Sequence, residues 1–535
     1  MPSVRLLRPR ASSWIAGGGL VATLAAGVLV PIYTDEVGWR AQLARSPFDG
    51  GVDRELADQC GPNTNLAAPW FMQPMRHATA WIEAWVADPR AIRLLGVATA
   101  MLLLVVLGGI ARSADRARWP VSSALTFALL GLGTMPFLLV WSRPEQPILL
   151  ALATAVLLAL TAPPGACAAS MRAAAILLLA IFALGAHPKA VVFAPILIVA
   201  ALLAGRGRDA LAVRIGVAVA ITLLAGEAFG YWNMRFACPN DPVIAAHNAA
   251  ENLSAAGEGW VGLVRALACN ILPTDYVVEI NPAVAQMSDW LPPIQRPRIA
   301  VAAWFLPIRI AWLFAFLAIV VGLAFAAADA WRRRMLDPRS ALAATIVLCV
   351  LGWSALQTNK NSYEAALVLP LCVLALVLVL PALAARWPRL IARTAIGAVA
   401  LALVSEVLLL VTYVPALART AAKPGTIADQ PYSFTPWGYP AMRADILAAG
   451  GLCGIDPARA RYLLVDDLTY WTYFRSWRPM NRMAVLDGWI AQSRDPLGFL
   501  RAHGSSGIVT QCAVLPPALR ARAKALGQFC CVGPL

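Results

Sequence analysis

Two adjacent carboxylates, Asp35 and Glu36, close the first long apolar run of the chain, in the stretch Pro31-Ile32-Tyr33-Thr34-Asp35-Glu36-Val37. Alone, such a pair is an ordinary helix end meeting water. Three short turns between later apolar runs change its standing: Trp141-Ser142-Arg143-Pro144-Glu145-Gln146, Gly185-Ala186-His187-Pro188-Lys189, and Gln357-Thr358-Asn359-Lys360-Asn361-Ser362-Tyr363-Glu364. Each turn carries one lysine or arginine among polar partners, at a depth where ionisable groups are costly and mark functional paths. Arginine grips a phosphate or pyrophosphate with two parallel hydrogen bonds, and lysine holds it as a point charge. A carboxylate within about 3 Å of a hydroxyl can take its proton as the hydroxyl attacks. Together these residues describe transfer of a group from a phosphate leaving group to an acceptor.

Taken singly, Arg143, Lys189 and Lys360 read as well as headgroup contacts or helix caps, and His187 as a capping or packing residue. Glu145 and Glu364 read as partners of the neighbouring cations. Glu227 lies beside Tyr231-Trp232-Asn233 near a span end, where it can line an acceptor path, and Glu406 lies mid-span. The spacing of Asp241, His247, Glu251 and Asp275 is too irregular to nominate a metal site.

The elements that position these residues are apolar helices. The chain has 535 residues, 60% hydrophobic and 14% charged, with mean hydropathy +0.67; soluble proteins carry roughly a quarter charged residues. About 20 apolar residues cross a hydrocarbon core. Runs of that kind lie near 13–33, 92–111, 120–141, 147–163, 173–186, 190–205, 214–231, 300–328, 340–357, 364–385 and 394–415, about eleven transmembrane helices. The first shows no small-residue cleavage site before Asp35 and reads as a retained span. The net charge of +15 is not a nucleic-acid footprint, because the arginines gather in alternate connections: Arg112, Arg116 and Arg118, Arg172, Arg206 and Arg208, Arg332, Arg333 and Arg334, Arg386, Arg389 and Arg393. Basic residues collect in cytoplasmic loops. This bias puts the amino terminus inside and regions 34–91, 232–299 and everything after about 416 outside. In the first outer loop, Trp70 to Trp85 has the aromatic and apolar spacing of a helix lying in the headgroup plane.

After residue 416 the pattern turns to short strands, at 461–467, 483–486 and 507–511, with helices at 496–503 and 517–526. That alternation implies a small α/β domain over 416–535. Trp471, Tyr473 and Trp477 there suit packing, or stacking on sugars. Seven of ten cysteines fall on the outer side (Cys60, Cys238, Cys269, Cys453, Cys512, Cys530, Cys531), which fits disulfides in an oxidising compartment. The pairings to try first are Cys238 with Cys269, and Cys453 with Cys512 or the Cys530-Cys531 doublet. Zinc is the alternative for the last four.

On these residues the chain resembles the membrane glycosyltransferases of the GT-C superfamily: an acidic motif, Asp35-Glu36, just after the first span; a long first outer loop; many spans; and an outward carboxyl-terminal domain. Arg143-Pro144-Glu145 and the turn Lys360 to Tyr363 are similar to motifs of its arabinosyl-, mannosyl- and aminoarabinosyltransferase branches. The resemblance covers roughly residues 10–415 and implies a GT-C-like catalytic domain over 1–415. It implies an inverting transferase of a bacterial inner membrane that moves a sugar from a polyprenyl-phosphate donor to a glycan, lipid or protein acceptor on the periplasmic face. Asp35 is then the general base, and Glu36 a supporting acid or a ligand for an optional divalent cation. Arg143, His187, Lys189, Lys360 and Tyr363 bind the donor phosphate, and Glu145, Glu227 and Trp232 line the substrate path. Two readings compete: a transporter or flippase for an envelope precursor, which calls for charges deep within broken, symmetric spans, and a non-catalytic envelope assembly protein.

Overall fold

The structure, a computed structural model, describes residues 9–45, 52–54, 65–67, 69–85, 88–161, 165–205, 208–237, 258–270, 298–335, 337–356, 362–421, 426–427, 430–459, 463–473, 480–482, 495, 497–498, 501 and 505–534. It begins with α1 (Pro9–Ala26), a two-residue strand β1 (Ile32–Tyr33) and α2 (Thr34–Arg45), then the hairpin β2 (Val52–Arg54) and β3 (Asn65–Ala67). Helices α3 (Gln73–Trp85), α4 (Pro89–Ala114), α5 (Trp119–Leu130), α6 (Met135–Leu139), α7 (Glu145–Leu160), α8 (Ala166–Ala186), α9 (Lys189–Leu202) and α10 (Leu211–Ala237) follow. Next come α11 (Gly259–Asn270), α12 (Arg298–Arg333), α13 (Pro338–Leu356), α14 (Ser362–Arg386) and α15 (Pro388–Ala421).

Among the described residues, eight stretches are long and apolar enough to cross a membrane: Arg10–Leu29, Pro89–Ala114, Ala166–Ala186, Leu211–Met234, Leu306–Arg333, Pro338–Leu356, Glu364–Arg386 and Pro388–Ala421. The protein is thus a polytopic helical membrane protein. Among the described residues, eight helices of crossing length stand where eleven spans were expected, and the runs near 120–141, 147–163 and 190–205 form the shorter helices α5, α7 and α9. The first of these breaks because Gly131 and Gly133 end α5, Gly133 adopting φ +62, which a residue without Cβ takes up readily. The break also receives a side chain from α15. A Cβ on Gly131 would lie 2.2 Å from Oε1 of Glu406, and one on Gly19 of α1 would lie 2.0 Å from its Oε2.

Helix α14 is the hub, with 89% of its apolar window buried in protein. Lipid tails are as apolar as leucine, so helices associate through close packing at small residues. Gly322 of α12 shows this, since a Cβ there would meet Val379 of α14 at 2.7 Å.

The carboxyl-terminal segment contains β4 (Thr426–Ile427), β5 (Gln430–Phe434), α16 (Tyr439–Leu452), β6 (Leu463–Val465), α17 (Tyr470–Tyr473), β7 (Met480–Arg482), β8 (Ile508–Gln511), α18 (Pro517–Arg520), β9 (Lys524–Leu526) and β10 (Phe529–Val532). Its sheet runs β7-β6-β8-β10-β9, parallel among the first three strands and antiparallel from β8 onward. The partly parallel α/β arrangement is as expected. The helix expected over 517–526 is not: α18 stops at Arg520 and the chain turns into β9, which pairs with β10. Cys453 pairs with Cys531 and Cys512 with Cys530, so the doublet divides between two bridges, and neither Cys453–Cys512 nor a zinc site forms. Cys60, Cys238 and the Cys269 side chain lie outside the described residues.

Strand β5 reaches back to the first span. It pairs antiparallel with β1, Ile32 opposite Phe434 and Tyr33 opposite Ser433, and Trp437 Nε1 donates to the Val28 carbonyl at 2.8 Å. One apolar cluster joins Ile32, Val37 and Ile92 to Phe434, Tyr439, Trp471 and Cys531. Trp471 and Tyr473 are buried, which removes them as sugar-stacking surfaces; Trp477 lies outside the described residues.

Candidate functional site

The acidic motif opens α2. Asp35 is the second residue of that helix, and its side chain lies outside the described residues. Glu36 is fully buried and saturated. Its Oε1 accepts from the Tyr33 N–H at 3.0 Å and from Arg93 Nη2 at 2.7 Å, and its Oε2 accepts from the Ser142 N–H at 2.8 Å. Arg93, also fully buried, completes the arrangement. Nε donates to the Val30 carbonyl at 2.9 Å, Nη1 to the Val140 carbonyl at 2.8 Å, and Nη2 also to the Pro31 carbonyl. One guanidinium thus caps the end of the first span and fixes the 140–142 turn. Gly96, one turn further along α4, is what admits that turn: a Cβ there would lie 2.1 Å from the Val140 carbonyl oxygen. Gln146 holds its far side, donating to the carbonyls of Gly96 at 2.6 Å and Leu139 at 2.7 Å.

A second set of charges starts one residue further on. Arg143 Nε lies 3.2 Å from Oε2 of Glu145. Lys189 Nζ bridges Oε1 of Glu145 and Oε1 of Glu364, the latter at 3.0 Å, and stands 5.7 Å over the ring of Trp353. Arg143, Glu145, Lys189 and Glu364 come from three helix starts and form one buried chain of alternating sign. Arg143, Glu145, Gln146 and Trp141, with Leu103, Leu138, Leu139, Leu149 and Ala366, line a small recess with room for about one water molecule.

The rest of the 185–189 turn is tied to the acidic motif. Trp39 Nε1 of α2 donates to the Ala186 carbonyl at 2.8 Å, and Arg40 Nη2 donates to Ser142 Oγ. Tyr33 stacks on Trp141, rings 5.3 Å apart and 8° from parallel. His187 Nδ1 accepts the Lys189 N–H at 3.2 Å, so the proton of the neutral ring is on Nε2. Burial and then the Lys189 charge push its imidazole down to about 3, so it is neutral near pH 7. Its ring is 6.3 Å from Trp232. Tyr231 beside Trp232 accepts from Arg76 Nη2 of α3 at 3.0 Å.

The structure therefore brings Glu36, Arg143, Glu145, His187, Lys189 and Trp232 to one end of the bundle. Glu227 faces away from the cluster, exposed on α10. Lys360 and the Tyr363 side chain lie outside the described residues, although Glu364 beside them is in the cluster. Arg93, Arg40 and Arg76 are missing from the sequence reading. The local trace of Arg93 is a cation at the start of an apolar run, which reads equally as a headgroup contact. Among the described residues, no group of three His, Cys, Asp or Glu side chains is placed to hold a metal.

No protein-family profile and no curated protein sequence matches the chain. Among solved structures it is similar to ArnT from Cupriavidus metallidurans bound to undecaprenyl phosphate, at 14% identity over 97% of each chain, TM-score 0.47. It is also similar to the Archaeoglobus fulgidus oligosaccharyltransferase in the apo form, at 11% identity over 93% of this chain and 70% of that one, TM-score 0.43. The archaeal oligosaccharyltransferase AglB from the same organism, in complex with an inhibitory peptide and a dolichol-phosphate, matches at 11% identity over 92% and 69%, TM-score 0.41. At these identities and TM-scores the likenesses carry no weight on chemistry.

Proposed function

We propose that the chain is a membrane glycosyltransferase of the GT-C kind, taking a sugar from a polyprenyl-phosphate carrier. The observation that carries this reading is the pair of buried cations, Arg143 and Lys189, held beside Glu145 and Glu364 at the same bundle end as Glu36, which the Ser142 N–H fixes one residue before Arg143. The phosphate of such a carrier suits these two cations, and the Asp35 position is next to the fixed acid. Undecaprenyl phosphate and dolichol-phosphate, held by the similar structures, are of this carrier class, but the reading rests on the site itself.

In this reading an acceptor hydroxyl attacks the anomeric carbon as the carbon–oxygen bond to the lipid phosphate breaks. The hydroxyl proton passes to the Asp35 carboxylate, and the departing phosphate takes the negative charge toward Arg143 and Lys189. Glu36, with both oxygens occupied, positions α2 and takes no proton. One carboxylate suffices for inversion, which needs no covalent intermediate. For a phosphate to enter, Glu145 and Glu364 must yield part of their hold on the two cations. The positive-inside rule puts the site end outside, in the periplasm, with the region after residue 416 beside it.

Asp35→Asn, purified in detergent and given polyprenyl-phosphate sugars with a mixed pool of envelope acceptors, is expected to transfer roughly 100- to 10,000-fold more slowly than wild type. Its melting temperature should be unchanged. Transfer at the wild-type rate by that variant rejects the reading.

A further inference from the structure

At the bundle end opposite the site, arginines gather as the topology rule requires, but they are held in two different ways. Arg172 donates to the Leu158 carbonyl and Thr161 Oγ1, both at 2.7 Å. Arg214 donates to the carbonyls of Leu202 at 3.0 Å and Gly205 at 2.8 Å, and Arg339 to that of Ala114 at 2.6 Å. Each closes the carboxyl end of a neighbouring helix, where carbonyls lack partners and the helix dipole favours a cation. Their presence has a structural reason.

One corner differs. Arg386 at the end of α14 donates to both oxygens of Asp329 at 3.1 Å, and its guanidinium carbon lies 4.2 Å over Phe325, whose ring meets Trp387 edge-on at 5.3 Å. These contacts bring the end of α12 to the start of α15. Around them stand Arg332, Arg333, Arg334, Arg389 and Arg393, all exposed. Among the described residues no carboxylate or carbonyl takes up any of the five. Beside them Trp331 is 87% exposed, and Met335, Trp387 and Leu390 are exposed too. The topology rule accounts for the charges but not for an uncompensated cluster set among outward aromatic and apolar side chains.

We propose that this corner, formed by the ends of α12 and α14 and the start of α15, binds an anionic phospholipid whose headgroup carries more than one negative charge. The arginines supply charge complementarity across two helix ends, and guanidinium forks match phosphate oxygens. Trp331 and Trp387 are exposed at the ends of crossing helices, and indoles at such ends favour the membrane interface. The apolar neighbours select a lipid over a free phosphate, which would leave Trp331, Met335 and Leu390 in water. Basic pockets between helix ends are a known mode of recognising such headgroups. The site is independent of the transferase reading, and each stands or falls alone.

The test is lipid retention by full-length protein in detergent, read by native mass spectrometry after adding diphosphatidylglycerol, phosphatidylglycerol or phosphatidylethanolamine. Wild type should keep the first lipid most strongly. A triple variant, Arg332→Gln with Arg389→Gln and Arg393→Gln, should bind it roughly 100-fold more weakly, since each basic residue near an anionic surface contributes on the order of fivefold. A charge-matched control, Arg112→Gln with Arg116→Gln and Arg208→Gln, should bind it within about twofold of wild type. Trp331→Ala with Trp387→Ala keeps every charge, guards against misinsertion of the triple variant, and should still weaken retention. Equal loss in the control, or wild-type retention by both corner variants, overturns the proposal. So does failure of wild type to prefer the diphosphate lipid.

Discussion

The Glu36–Arg93 pair and the Arg143–Glu145–Lys189–Glu364 chain are neighbours at the same bundle end, yet they are built on opposite plans. In the first, a single ion pair is surrounded by backbone: three carbonyls and two N–H groups converge on it, and neither side chain is exposed. In the second, charged side chains meet one another, Glu145 between Arg143 and Lys189 and Lys189 between Glu145 and Glu364, and Arg143 and Lys189 keep 8% and 9% side-chain exposure. Backbone-bound charges cannot move without unmaking the fold. Alternating side-chain charges can reopen around an anion. The difference separates holding a site in shape from doing work within it.

The comparison breaks most visibly at Arg93. Arg93→Met strands a buried carboxylate and frees three carbonyls, so it should cost about 3–5 kcal/mol and show as collapse of the monodisperse peak in size-exclusion chromatography. Glu36→Gln keeps one acceptor and should cost less, about 1–3 kcal/mol, measured as a lowered thermal midpoint. In the second set, Lys189→Gln should chiefly raise KM for the lipid donor, roughly tenfold, with a midpoint well above that of Arg93→Met. If its midpoint falls as far as that of Arg93→Met, both sets are structural and the distinction fails.

The smallest effect concerns His187. Its folded value of about 3 lies below the ordinary 6.5, so between those values the unfolded chain binds a proton that the folded one refuses. Its contribution to stability is complete above about pH 6.5 and declines as pH falls toward 3. Thermal midpoints at pH 7.5 and pH 5 should differ less in His187→Gln than in wild type; an unchanged difference places the pH sensitivity elsewhere.

The helical scaffold was legible because apolar runs of fixed length have few other meanings. The break in the run near 120–141 was written in Gly131, Gly133 and Pro136, but what occupies it, Glu406, comes from 275 residues downstream (406 − 131). The turns bearing Arg143 and Lys189 stood out because charge at membrane depth is rare. Arg93 did not, because a cation in the first turn of a span normally faces headgroups. What makes it different is a set of carbonyls at the end of another helix, which no local pattern announces. The β9 strand was hidden for a similar reason. Its residues favour a helix, and pairing with β10 overrides that preference.

The pairing of β1 with β5 bears on how the protein is made. The contact between Val28 and Trp437 spans 409 residues, so at about 5–20 residues per second the ribosome needs roughly 20 to 80 s after delivering the first span before its partner strand exists. Throughout that interval the acidic motif has no strand beside it. Nascent chains cut short before Gln430 should therefore insert into the membrane and remain inactive, and activity should appear only when the last fifth of the polypeptide has been delivered.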